Sequence, residues 1–237
     1  MIDGYSTDGR IRAYGLRVLR DDRRAFPPYY AVPVVRPALL RAHPELRAVL
    51  AQLDGQISDS VMTELNYRAD YRHEAPKAIA EQFLRQRGLW RRPRPTVAGA
   101  PVVRLGSKIF AEQYILIELY AALIRGQTDL AVETKTGLGA TSICFEALRT
   151  GAIDLYPEYT GTGLLVLLQP RPAVVDSLGG RPAAVLGYVR AEFRRRFGLE
   201  WLAPLGFNNT YALLMRGQQA RELRIESVSD LSGYLRR

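Results

Sequence analysis

The residues in this chain best suited to chemistry are tyrosines placed where strands end. The stretch Asp154–Thr162, DLYPEYTGT, closes a short apolar run with tyrosines, a proline, a carboxylate and threonines. Open α/β sheets present ligands at such carboxyl edges. Tyr211 in NNTYALLM, Tyr5 in DGYSTDG, and Tyr29 and Tyr30 in FPPYYAVP fall at similar strand ends or extended crossings. A quaternary ammonium has no N–H to donate, so ring faces and desolvation must select it; each ring contributes roughly 0.5–2 kcal/mol by cation–π attraction. Tyr5, Tyr29, Tyr159 and Tyr211 are expected to converge on one small cation. The plainer reading of a tyrosine is a half-buried ring with a wet hydroxyl, and Tyr67, Tyr114, Tyr120 and Tyr188 fit it.

Other candidates are fewer. Lys108, in GSKIFAEQ, joins a strand to a helix and could hold a ligand carboxylate as a point charge; the alternative is a solvated loop lysine. TKTGLGATS (134–142) resembles a phosphate-binding turn, glycines ahead of a helix N-terminus. It lacks the third glycine of the dinucleotide version, with Ser142 in that place. A βα turn capped by Thr141 or Ser142 is the plainer account. His43 and His73 have no neighbours at metal-ligand spacing. Cys144, the single cysteine, lies among apolar helix positions and reads as core.

The elements that must position these residues alternate after residue 102. Strand VVRLG, helix AEQYILIELYAALIRG closed by Gly126, strand DLAVET, helix TSICFEALRTG, strand AIDLY, a helix over 183–197, then strands LEWLAPLG and TYALLMR predict a helix-covered, parallel-dominated sheet. A last helix is capped by Ser227 or Ser229. Before it all, IDGYSTDG reads as a strand end and turn, IRAYGLRVLRDD as another strand, and 37–89 as helices, one capped by Ser58. RRPRPTVAGAP (91–101) is a linker by composition.

Composition excludes several classes. The charge is +9 over 237 residues, carried almost wholly by arginine, but the arginines are scattered and no nucleic-acid module is present. No segment is a membrane span, and the start shows no signal-peptide hydrophobic region. No cofactor is expected.

Taken together, VRLGSKIFAEQYIL, GLGATSICFEALRTGAIDLYPEYTGT and FNNTYALLMR resemble the substrate-binding component of ABC transporters for glycine betaine, choline and carnitine. IDGYSTDGRI, FPPYYAVPVVR and ISDSVMTELNYRADYRHEAPKAIAEQFLRQRGL resemble later segments of that family. The resemblance implies a periplasmic-binding-protein type II-like α/β fold, an aromatic cage for a quaternary ammonium osmolyte, a membrane permease as partner, an extracytoplasmic location and no catalysis. It carries ligand contact onto Tyr159 and Thr162 in YTGT, Tyr211 in NNTY, Tyr5 in GYST and Tyr29 in PPYY, and carboxylate contact onto Lys108 in GSK. Ile109 and Ala111 depart from the family's polar GSKNFTEQ pattern.

The segment order also departs, because the family's last part (1–89) precedes its first (102–237). The resemblance implies a main lobe of 27–90 with 102–212, docked across a linker able to span up to roughly 35 Å. Residues 1–26 and 213–237 would form a remnant of the second lobe, about half of the roughly 100 residues usual for one. Such a chain is either a fragment straddling two tandem binding domains or a circular permutation with a deletion. Two other functions compete: a nucleotide-binding α/β enzyme using the GLGATS loop, and a non-binding fragment of a tandem binding protein.

Overall fold

The apolar runs build two sheets of unequal size. The computed structural model describes residues 1–95 and 97–236; Thr96, within the expected linker, and Arg237, at the end of the expected second-lobe segment, lie outside the described residues. The strands are β1 (Ile2–Tyr5), β2 (Leu16–Val18), β3 (Ala31–Val35), β4 (Val102–Lys108), β5 (Ala131–Gly139), β6 (Leu155–Tyr159), β7 (Glu200–Trp201) and β8 (Tyr211–Arg216). The helices before β5 are α1 (Gly9–Ala13), α2 (Pro37–Ala42), α3 (Glu45–Ala51), α4 (Asp59–Asp70), α5 (Pro76–Gln86) and α6 (Ala111–Gln127). After β5 come α7 (Thr141–Thr150), α8 (Thr160–Thr162), α9 (Pro172–Leu178), α10 (Pro182–Phe197), α11 (Gly217–Glu222) and α12 (Val228–Leu235). A π-helical turn, Gly163–Leu168, continues α8.

The larger sheet has the order β5-β4-β6-β3-β7. Strand β4 runs parallel to β5 and β6, whereas β3 runs antiparallel to β6 and β7. The α/β class stands, but the sheet is mixed rather than parallel-dominated. The reason lies in how β3 arrives: it follows the extended segment 27–30 and needs no helical crossover, which only a parallel neighbour requires. Pro33 sits in this interior strand opposite Pro157, so the two missing N–H donors share one non-hydrogen-bonded pair. On the β7 side, the carbonyl of Leu202 is taken by the Arg190 guanidinium instead.

Each face of this sheet carries its own core. On one, Leu46, Leu50, Met62, Ile79 and Phe83 pack with α6 residues Ile115–Ile124 and with β4. On the other, Cys144 and Phe145 of α7 meet Val189 and Phe193 of α10 and Trp201 of β7. Burying each such side chain stabilises the fold by about 1.5–3 kcal/mol. Residues from before and after the 87–101 connection therefore share one interior. That connection lies across the end of α6, where Arg94 N–H donates to the Arg125 carbonyl. Gly126, expected to close the helix, is inside it instead. A Cβ there would meet the Arg91 carbonyl oxygen at 2.8 Å, so the glycine admits the crossing chain.

The smaller sheet, β1-β8-β2, is antiparallel throughout. Leu19, Met215, Ala220, Ile225 and Leu231 form its core beneath α11 and α12. Ser227 caps α12 in a reciprocal capping box with Asp230. Residues 11–13, expected as strand, belong to helix α1 instead: Asp8 accepts from the Arg10 N–H, and an N-cap starts a helix even where the following pattern is short. Gly9 stands so close to α4 that a Cβ would lie 2.9 Å from the Tyr67 backbone nitrogen. That approach seats α1 against the larger unit. Among the described residues no helix is long and apolar enough to cross a membrane.

Candidate functional site

The register of β1 on β8 places Tyr5 directly opposite Tyr211. Their rings lie 5.1 Å apart, and Tyr29 meets Tyr211 edge-on at 5.9 Å and 89°. Tyr29 belongs to an extended segment pinned at both sides. Its N–H donates to Asn208 Oδ1 at 2.7 Å, Thr160 Oγ1 donates to the Pro28 carbonyl at 2.9 Å, and Thr160 Oγ1 in turn accepts from the Tyr30 N–H. Gly161 makes room for the ring: a Cβ there would fall 2.5 Å from Tyr29. The small residue of the TGT motif is thus explained by one aromatic neighbour.

All six sequence-predicted site residues line one cavity of about 520 Å³ between the two sheets: Tyr5, Tyr29, Lys108, Tyr159, Thr162 and Tyr211. Tyr5 and Tyr211 are 46% and 45% exposed, Tyr159 only 4%. The cavity thus has an open aromatic rim and a buried aromatic floor. The Tyr5 hydroxyl is pushed up to about 12, first by its hydrogen bond with Tyr211 and then by burial. Phe110 also lines the cavity and stacks on Tyr159 at 6.3 Å. Sequence reading missed Phe110, although an aromatic two residues after Lys108 at a helix N-terminus was the available signal.

The larger omission is Glu112, which stands in the first turn of α6 and is almost completely buried. Its Oε1 accepts from the Tyr159 hydroxyl at 2.6 Å and from Asn209 Nδ2 at 2.9 Å. Its Oε2 accepts from Thr7 Oγ1 and Asn66 Nδ2, both at 2.8 Å. Burial pushes this carboxyl up from its ordinary value, against four hydrogen bonds that favour the charge. Four elements meet on one side chain: the β1–α1 turn, α4, the end of β6 and the approach to β8.

Lys108 lines this cavity and is not a solvated loop lysine. It is 7% exposed, and its ammonium is paired with Glu158, which is fully buried. Glu158 also accepts from the Tyr159 N–H at 2.8 Å and the Tyr156 hydroxyl at 3.2 Å. The lysine charge is therefore matched within the protein, and its Nζ lies 5.1 Å from the Tyr159 ring centroid. The remaining charged side chains of the wall are acidic: Asp8, Asp70 and Glu112. Burial raises the Asp70 carboxyl; at Asp8 burial acts the same way, but hydrogen bonds from Arg10 leave it below its ordinary value. An acidic wall ringed by aromatics suits a cation.

The remaining motifs settle differently from their expectations. The GLG stretch is part of β5, not a loop, and α7 begins after Ala140 with no side-chain cap; neither Thr141 nor Ser142 caps it. A Cβ at Gly139 would meet Ile143 at 2.6 Å, so this glycine serves the packing of strand on helix. Tyr120 is fully buried with no partner for its hydroxyl among the described residues, rather than half-buried and wet. Cys144 is core, its thiol pushed up to about 11 by burial. No group of three or more metal-ligating side chains gathers among the described residues.

Comparison with known proteins gives the same picture at the family level. The family described as "Substrate binding domain of ABC-type glycine betaine transport system" matches residues 1–86 and 101–236. The carnitine transport binding protein of Listeria monocytogenes is 45% identical over 83 residues, 35% of this chain and 27% of that protein. A glycine-betaine-binding protein of Pseudomonas aeruginosa is 40% identical over 140 residues, 59% of this chain and 42% of that protein. The chain thus matches less than half the length of either relative. Among solved structures, NikA from Brucella suis in complex with Fe(III)-EDTA superposes with a TM-score of 0.40 at 13% identity, covering 90% of this chain and 53% of that one. Since the family matches nearly every described residue on both sides of the 87–100 gap, the chain belongs to the family of substrate binding domains of ABC-type glycine betaine transport systems.

Proposed function

We propose that the cavity binds a quaternary ammonium osmolyte and that the chain delivers it to an ABC permease from an extracytoplasmic position. The observation that carries this reading is the meeting of Tyr5, Tyr29, Tyr159 and Tyr211, drawn from four separate stretches of sequence, on one cavity whose carboxyl groups without a cationic partner among the described residues are Asp70 and Glu112. Ring faces supply attraction without hydrogen bonding, which is what a methylated ammonium requires. Thr162 and Lys108 complete the wall. In this reading β1, β2, β8 and their helices act as a reduced second lobe and residues 27–90 with 102–210 as the main one, the boundary, expected at 212, falling just before β8 instead. Ligand held between rings of both units favours the arrangement in which they are together. Calorimetric titration of glycine betaine and choline into the purified chain tests the proposal. Saturable heat that disappears in Tyr159→Ala is the expected result. No heat for either ligand, from a chain with native circular dichroism, overturns it.

A further inference from the structure

Strand β8 is apolar toward both faces of the smaller sheet, and only one of those faces is roofed by α11 and α12. The run Ala212, Leu213, Leu214, Met215 has no polar alternation, which is the pattern of a strand buried from both sides. Leu213 and Met215 belong to the core beneath the two helices. The register gathers the other set. Ile2 of β1 and Val18 of β2 both stand opposite Leu214, and Leu16 stands opposite Arg216. Residues directly opposite in an antiparallel pair share a face. A sheet face meant for water carries polar side chains; this one carries isoleucine, valine and leucine.

On that second face lies a groove of about 770 Å³. Leu16 and Leu214 form its floor and Ile2 its edge, with Tyr14, just beyond α1, on one side and the start of α11 on the other. Ile2 and Tyr14 are 51% and 64% exposed. The rim is basic: Arg10, Arg216 and Arg221 stand against the one carboxylate of Asp3. Arg10 is already paired with Asp8. Arg216 and Arg221 have no carboxylate partner among the described residues, and the neighbouring Glu226 is taken by Arg17.

These features specify an occupant. One side of it must be apolar, to cover Ile2, Tyr14, Leu16 and Leu214. Its flanks must be acidic, to meet two guanidinium groups that lack partners. A sheet face offers side chains and no backbone partners, so the occupant must bring its own backbone groups already paired, as a helix does. A second copy of this chain fits poorly, because it would bring the same arginines and a net charge of +9 to the contact; like charges oppose such association.

We propose that this groove is a docking surface for an acidic amphipathic helix of another protein, with Arg216 and Arg221 reading its charge. The groove shares no lining residue with the aromatic cavity, so the proposal stands apart from the ligand reading.

The test is fluorescence anisotropy on the full chain with three labelled helical peptides of about 14 residues, roughly four turns. The first has leucines on one face and glutamates on the other, the second lysines in place of the glutamates, and the third serines in place of the leucines. Saturable binding of the first, at least about tenfold tighter than either of the others, is the expected result. Arg216→Glu combined with Arg221→Glu, both at exposed positions, should weaken the first peptide by about tenfold or more and strengthen the lysine peptide. A lysine or serine peptide that binds as tightly as the first overturns the proposal, as does an affinity that the double variant leaves unchanged. Absence of binding by the first peptide overturns it too. Sedimentation velocity covers the remaining occupant: self-association that Ile2→Ser abolishes would assign the groove to a second copy and also overturn the proposal. Osmolyte titration of the same double variant should match that of the unaltered chain.

Discussion

The Tyr159 hydroxyl donates a 2.6 Å hydrogen bond to Glu112 Oε1, joining the end of β6 to the first turn of α6. The ring that floors the cavity is thus oriented by a buried carboxylate. Tyr159→Phe keeps the ring and removes the donor. Hydrogen bonds to charged groups are worth about 1.5–3 kcal/mol, and urea unfolding should show a loss of that order. Quaternary ammonium affinity should fall far less than in Tyr159→Ala, because the ring face remains.

The Lys108–Glu158 pair is expected to behave as a buried ion pair. Lys108→Met leaves Glu158 with a charge and no cation, which typically costs about 3–5 kcal/mol. Lys108→Met combined with Glu158→Gln should recover much of that loss, since no unpaired charge is left. Chemical denaturation of the single and double variants checks the order. A double variant as unstable as the single one would mean that shape, not charge, sets the cost.

Two carboxylates give pH effects of opposite sign. The unfolded chain ionises Glu112 near its ordinary 4.5, while burial delays ionisation in the folded chain. Between those values the native state holds the extra proton, so stability from this residue is complete below 4.5 and declines as pH rises through the folded value. Glu192 is the converse: Arg195 and Arg196 hold its carboxyl down to about 2, so its contribution is present above 4.5 and is lost as pH falls toward 2. Thermal unfolding across pH should show a less negative slope above pH 4.5 in Glu112→Gln, and a shallower acid limb in Glu192→Gln.

Gly161→Ala places a methyl where the Tyr29 ring now lies, 2.5 Å from its nearest carbon. Position 161 is helical, so alanine suits the backbone and the strain falls on the ring. Displacing one ring from the proposed cage should weaken choline or betaine binding by about tenfold, within the range of a single cation–π contact. Calorimetry measures it, and Tm should move little by comparison.

Much of this site could be read from sequence because strand ends are local features. Tyr159 and Tyr211 follow or begin apolar runs, Tyr5 precedes a turn signal and Tyr29 follows a proline pair, so their positions needed no knowledge of pairing. Ser227 and Ser58 were legible as caps for the same reason. What escaped was set by distant partners. The direction of β3 depends on strands 120 residues or more away in the chain. Glu112 looked like an ordinary acid in a first turn until Thr7, Asn66, Tyr159 and Asn209 were brought to it. Lys108 looked free because Glu158, hidden in an apolar strand, gave no sign of facing it.

Strand β3, clasped between β6 and β7, makes the 87–101 connection a tether rather than a strut. Its role is to keep two interlocking pieces at an effective concentration in the millimolar range, while it docks lightly on the end of α6 through Arg94. A chain cut within residues 91–95 is expected to co-migrate as a two-piece complex. Separately expressed pieces, 1–90 and 101–237, should regain ligand binding when mixed. The protein would then serve as a split reporter whose reassembly reads out its own ligand.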